Sequence, residues 1–253
     1  MRTLPFLTAA AALLVATPAC AIVGGAGPAS EAVSHSVITI VGSRATFCTG
    51  SLIAPSLVLT VAHCVQPGAD YKIVRYGADK KPELEDVRSV AIHPGFKMAE
   101  MLVHRATADV ALLRLVIPES GKAPARLSVP QLPLAPGNPF IVAGVGVTIR
   151  GDGKSAGVIR IAHLVATGKP GTLQIRLVDP EGLGKQAGLG ACTGDSGAPV
   201  FEDQQGGAAI IGVVSWSTGP NGSAGCGGLT GVTPLTLYRD WILQTARQWG
   251  FAL

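Results

Sequence analysis

SLIAPSLVLTVAHC, from Ser51 to Cys64, holds two short apolar runs, Ser51 to Ile53 and Leu57 to Val61, and the second delivers His63 and Cys64 just beyond its end. Periodicity alone does not separate runs this short from helix. Their repetition along the chain does. Val37 to Val41, Val87 to Ile92 and Val110 to Val116 continue the pattern in the first half. Phe140 to Val147, Gly157 to Val165, Thr172 to Val178, Ala198 to Phe201 and Ala208 to Trp216 carry it through the second. With 33 glycines and 18 prolines between such runs, the chain reads as all-β with many turns.

Two halves of similar size are expected. The stretch 127–139 (LSVPQLPLAPGNP) holds four prolines, which interrupt any strand ladder, so 128–139 reads as a linker between domains at 22–127 and 140–253. One helix is expected, over Leu235 to Trp249, with Leu237, Trp241, Ile242 and Ala246 at helical spacing and Gly250 as its stop. Residues 1–21 form a signal peptide: Arg2, an apolar stretch from Pro5 to Ala16, then Ala19-Cys20-Ala21 as the cleavage pattern. That apolar stretch is shorter than the ~20 residues needed to span a bilayer. Its removal leaves Cys48, Cys64, Cys192 and Cys226, an even set that in an exported chain implies two disulfides of unassigned pairing. The expected location is therefore secreted or periplasmic. A net charge of +4 with dispersed Lys and Arg gives no electrostatic footprint for nucleic acid or a membrane surface.

The chemistry begins at Gly194-Asp195-Ser196-Gly197. A serine hydroxyl needs a neighbouring base, and the oxyanion formed on attack needs donors; flanking glycines let the backbone turn and present N–H groups. His63 supplies a base that is neutral at working pH. Asp109, leading into Val110 to Leu115, can orient the imidazole by accepting from its second nitrogen. The chain order His, Asp, Ser differs from the orders of subtilisin and the α/β-hydrolases.

Taken together, IVGG (Ile22 to Gly25), the Ser51 to Cys64 stretch, DVALLRL (Asp109 to Leu115), CTGDSGAPV (Cys192 to Val200) and Ser215-Trp216 resemble the chymotrypsin/trypsin family of serine endopeptidases. The resemblance covers residues 22–253 and implies two six-stranded antiparallel Greek-key β-barrels with a C-terminal helix. It implies a catalytic triad of His63, Asp109 and Ser196, an oxyanion hole from the N–H groups of Gly194 and Ser196, and disulfides Cys48–Cys64 and Cys192–Cys226. It further implies an ion pair between a free Ile22 amine and Asp195. No propeptide is expected, and no basic residue stands directly before Ile22 for a trypsin-like activator, so signal cleavage itself is expected to expose that amine.

Gly190 and Ala191 fall at the base of the implied specificity pocket, where relatives cutting after Arg or Lys carry an Asp. Ser217 and Gly231 fall on its walls, and Ser215, Trp216 and Ser217 add the substrate backbone as a strand. The expectation is cleavage of polypeptides after medium apolar or aromatic residues, with small aliphatic residues as the alternative, by a monomer without metal or cofactor. His35, His104 and His163 have no metal-like companions, and His93-Pro94 reads as structural. Asp79 to Asp86 (DKKPELED) reads as a solvated hairpin. A binding protein on this fold would be expected to have lost one of the three catalytic residues. An esterase of the G-x-S-x-G type would need an α/β pattern that is missing.

Overall fold

The computed structural model describes residues 22–76, 81–169 and 171–253, so the expected signal peptide and the tip of the 79–86 hairpin lie outside the described residues. Fourteen strands run in chain order: β1 Gly27–Pro28, β2 Val37–Gly42, β3 Thr46–Ala54, β4 Leu57–Thr60, β5 Tyr71–Tyr76, β6 Pro82–Ile92, β7 Ala111–Leu115, β8 Arg126–Leu127, β9 Pro139–Gly144, β10 Arg160–Ala166, β11 Ile175–Val178, β12 Pro199–Gln204, β13 Gly207–Ser217 and β14 Thr230–Pro234. The helices are α1 Glu31–Ser34, α2 Met98–Leu102 and α3 Arg239–Gln248.

The first barrel closes in the order β2-β3-β4-β7-β6-β5. The second closes as β9-β10-β11-β14-β13-β12, because β10 and β12 both pair with β9. Both rings have the same winding: three strands in succession, with the fourth returning beside the first, a Greek key. Closure removes the exposed edges that an open sheet would offer.

The expected apolar runs are in place, and their cores are buried. Leu57, Val58, Leu59, Ile40, Ile73, Leu112 and Leu113 have no exposed surface in the first barrel, nor do Val142, Leu164, Leu177, Val200 and Val232 in the second. Four strands lie outside the expected runs: the two-residue β1 and β8, and β5 and β14, which lack an apolar signature. In β5 (YKIVRY) only Tyr71 and Ile73 turn inward, and β14 (TGVTP) is buried along its whole length although it is made of Thr, Gly, Val and Pro. The expected solvated hairpin is strand from Pro82 onward. It pairs with β5, and Lys72 with Asp86 and Arg75 with Glu83 make cross-strand ion pairs.

The helix is shorter than expected. Leu235–Leu237 forms a 3-10 turn, and α3 starts at Arg239. Ile242 and Ala246 are buried as expected, but Leu237 is 46% exposed because it lies on that preceding turn. Gly250, at φ +86°, ends the helix, with its N–H bonded to Arg247 O. The C-terminal segment reaches back over the first barrel: the Tyr238 and Trp241 rings each sit 5.1 Å from His93. Among the described residues no helix is long and apolar enough to cross a membrane.

Residues around the two halves cross over. β1 pairs with β10, and Val23 bridges Gly190, so the first described residues lie on the second barrel. β8 runs parallel to β13 at Ala209 and Ile210. Beyond it, the buried Glu202 carboxylate accepts from Gln131 N (2.8 Å) and Leu132 N (2.7 Å), clamping the proline-rich stretch. Glu202→Ala would leave those donors without their acceptor, costing about 1–3 kcal/mol. The denaturant midpoint should fall, and limited proteolysis should cut first between 128 and 139.

Candidate active site

Strand register brings the imidazole to the carboxylate. β4 pairs antiparallel with β7, with Thr60 opposite Ala111. The chain leaving β4 turns through the 3-10 segment Ala62–Cys64, and Asp109 sits just ahead of β7, so both side chains emerge at one end of the barrel. His63 Nδ1 lies 2.8 Å from Asp109 Oδ2, and His63 N donates to Oδ1 at 3.0 Å. Ser215 Oγ, from the second barrel, donates to Oδ2 at 2.5 Å. Asp109 is fully buried, so these three donors replace its water. A carboxylate on one ring nitrogen fixes which nitrogen carries the proton and leaves Nε2 free to accept.

Around Ser196 the loop is held by backbone bonds and by Thr49. Thr49 N donates to Ser196 O (2.8 Å) and Thr49 Oγ1 to Gly194 O (2.8 Å). Thr49 Oγ1 also accepts from Val145 N at 3.3 Å. Gly197 has φ +83°, and a Cβ there would lie 2.1 Å from Thr49 O and 2.2 Å from Thr60 Oγ1, so only glycine fits. Asp195 N and Gly197 N are used, by Cys192 O and Val214 O, whereas the N–H groups of Gly194 and Ser196 have no protein acceptor among the described residues. Ser196 O lies 4.0 Å from the sulfur of Cys64, the neighbour of His63, which sets the serine beside the imidazole segment. Two disulfides brace the site, Cys48–Cys64 and Cys192–Cys226, with Cα atoms 6.4 Å and 4.9 Å apart.

Asp195 is wholly buried and accepts from Gly146 N (2.8 Å) and Cys192 N (2.9 Å). Desolvation pushes its pKa from 3.8 up to about 7, against those two hydrogen bonds. Ile22 is likewise fully buried.

A family model described as Trypsin matches residues 22–242. Trypsin 5G1 of Aedes aegypti is 30% identical over 239 residues, covering 89% of this chain and 85% of the relative. Trypsin of Sarcophaga bullata is 29% identical over 256 residues, covering 90% and 89%. Serine protease 56 of Mus musculus is 30% identical over 217 residues, 78% of this chain and 34% of that longer protein. The chain belongs to the trypsin family. It is therefore a serine endopeptidase, a hydrolase acting on polypeptides.

Ser196 opens on a cavity of about 640 Å³ that also touches Gly194, Ser217, His104 and Arg150. Of the trypsin-family pocket positions expected from sequence, Ser217 lines this cavity, and Gly190, Ala191 and Gly231 are not in its lining. Gly190 is engaged with Val23, and a Cβ on it would lie 3.0 Å from Gly227 Cα. Ala191 N donates to Thr230 Oγ1 at 3.0 Å. Gly231 lies under the Trp216 indole, where a Cβ would come within 2.0 Å of the ring. Sequence reasoning passed over Thr49, Thr230 and Arg150. Nothing in their local pattern marks them, because each acts across a long separation. His104, expected only to lack metal-like companions, stacks its ring on Trp216, centroids 4.3 Å apart at 14°.

Thr49→Val removes the donor to Gly194 O and the acceptor of Val145 N while nearly preserving shape. The loop should loosen by about 1–3 kcal/mol, with kcat falling about tenfold and KM changing less if the N–H groups of Gly194 and Ser196 serve as the expected oxyanion donors. Steady-state kinetics on a peptide amide checks the split.

Proposed function

We propose that this protein is an exported endopeptidase in which Ser196 attacks the peptide carbonyl and His63 takes the hydroxyl proton on Nε2. Asp109 holds the imidazole in the required tautomer and stabilises the imidazolium. The carbonyl oxygen becomes an oxyanion against the N–H groups of Gly194 and Ser196. Collapse expels the amine, which takes the proton from His63 and leaves an acyl-Ser196 ester. Water, deprotonated by His63, then attacks the ester and regenerates the serine. The observation that carries this reading is the buried Asp109 carboxylate fixed on His63 Nδ1 at 2.8 Å.

The substrate joins as a strand along Ser215 to Ser217. β12 pairs with β13 only as far as Val213, so that edge is open, which supports strand addition. Gly190 offers no carboxylate, so cleavage after Arg or Lys is not expected, and medium apolar or aromatic residues are favoured before the cut. Export follows residues 1–21, and the two disulfides fit an oxidising compartment. The working unit is a monomer of two barrel domains, 22–127 and 140–253, joined at 128–139.

Activation follows from Asp195. While residues precede Ile22 there is no Ile22 amine to offer. The folded chain then keeps a proton on Asp195 that the unfolded chain releases above its pKa of 3.8. Stability present at pH 4 is lost as pH rises to about 7, by on the order of 4 kcal/mol. A chain beginning at Ile22 supplies an ammonium that keeps the carboxylate ionised and removes that loss. In the Ser196→Ala background, the protein starting at Ile22 should therefore melt well above one starting at Ala21 at pH 7.5, with the gap narrowing at pH 4.5. Equal melting temperatures at both pH values would remove the ion pair from the account.

Ser196→Ala should cut casein turnover by at least about 10⁴-fold and abolish labelling by a serine-directed phosphonate, with an unchanged melting curve. A labelled Ser196→Ala protein, or an unlabelled wild type that still digests casein, would defeat the triad.

A further inference from the structure

Among the described residues no carboxylate lines the cavity beside Ser196, and Arg150 stands on its wall, its Nη1 donating to Ala224 O at 3.1 Å. A second guanidinium lies over Trp216: Arg176 sits 5.5 Å from the ring centroid. Register explains how it gets there. Trp216 and Arg176 both lie opposite Gly231, on β13 and β11 respectively, so all three face the same side of the sheet. Gly231 has no side chain to separate them. The Arg176 Nε donates to Gln174 Oε1 at 3.2 Å, and neither guanidinium has a carboxylate partner among the described residues.

His104 completes the surface. Its backbone is left-handed, φ +56°, a conformation a non-glycine residue holds only where its surroundings impose it, and its ring lies flat on Trp216. Burial and the nearby Arg176 charge both lower its pKa, which keeps the ring neutral at neutral pH.

Direction along the track is fixed by Ser215, whose hydroxyl is bonded to Asp109 and so marks the catalytic end. A strand added antiparallel to β13 enters at Ser217 and reaches the cut at Ser215. Residues on the amino-terminal side of the cut therefore pass Trp216, which carries Arg176, and Ser217, which shares its cavity with Arg150. We propose that this stretch is an acid-selective subsite, with Arg150 and Arg176 as specificity determinants for a Glu or Asp side chain two to four residues before the cut. The Trp216–His104 stack is its floor. The inference rests on the strand-addition reading above. A carboxylate is favoured over an apolar side chain because each guanidinium keeps unused N–H donors at the track, and charge-assisted bonds are the stronger kind.

Peptides carrying Glu, Gln, Lys or Leu at each of those positions test it in two assays: kcat/KM with the active protein, and binding to Ser196→Ala by fluorescence anisotropy. Glu should exceed Gln about fivefold at one position or more in both assays, and the ratio should shrink as salt is raised. Arg150→Gln or Arg176→Gln should reduce the ratio, and Arg176→Glu should turn the preference toward Lys. The salt series on the unmutated active site serves if a variant fails to fold. Glu and Gln within twofold at every position, a Leu preference, or a Glu preference that survives loss of both arginines would overturn the proposal. Acid-selective binding without cleavage would sink the proposed triad and leave the subsite standing; cleavage blind to charge would do the reverse.

Discussion

A single buried carboxylate organises this molecule. Asp109 has no exposed surface and receives three donors: the His63 ring, the His63 backbone and the Ser215 hydroxyl. Removing a charge from water is tolerable only when its lone pairs are filled, and here the filling groups come from both barrels. His63 and Asp109 belong to the first, Ser215 to the second. The desolvation cost of Asp109 therefore falls only when the barrels are docked in one arrangement, and that arrangement sets Ser196 against Cys64.

The same docking is written a second time in Thr49. From β3 of the first barrel it holds Ser196 O and Gly194 O and accepts from Val145 N, all in the second. The glycine at 197 lets the loop come this close. Barrels of identical winding give the interface its shape, and the strand ends that meet there supply the chemistry. Hydrophobic packing is continuous across the junction too: Phe201, Ile210 and Val213 of the second barrel and Ile242 of α3 share a core cluster with Leu57, Val58 and Leu113 of the first. Burial supplies the bulk of the attraction between the halves, and polar bonds select the geometry.

Much of this was legible in the sequence, and for a physical reason. Motifs such as LVLTVAHC and CTGDSG are local, and each encodes a strand end or turn whose residues lie within a few positions of one another. The apolar runs gave most strands, since burial is the signal that periodicity reports. β14 escaped because Val232 is its one apolar side chain among buried Thr, Gly and Pro, and β5 because its polar positions alternate with only two buried ones. The identical winding of the barrels leaves no internal repeat, because topology is carried by which strands pair and not by which residues fill them. The pocket was least legible. Gly231 was expected on its wall and lies under Trp216, while the next residue back, Thr230, bonds Ala191 N. A shift of one residue reverses which side of a strand a side chain faces, and a loop of uncertain length is enough to cause it.

Asp195 and Asp109 share the same degree of burial but differ in the donors that meet them. Asp109 has a ring and a hydroxyl to lean on; Asp195 has two backbone N–H groups and glycines so close that a Cβ on Gly144 would lie 2.1 Å from its oxygen. Backbone donors alone do not offset full desolvation, which is why its pKa climbs to about 7. The fold thus encloses a carboxylate whose two backbone donors do not repay its desolvation, and the same carboxylate sits one residue from Ser196 and braces Gly146 and Cys192. In the proposed activation, the loop's geometry therefore answers to the Ile22 ammonium that completes this buried acid. The site is consequently rigid where Asp109 and Thr49 hold it, and conditional where Asp195 does.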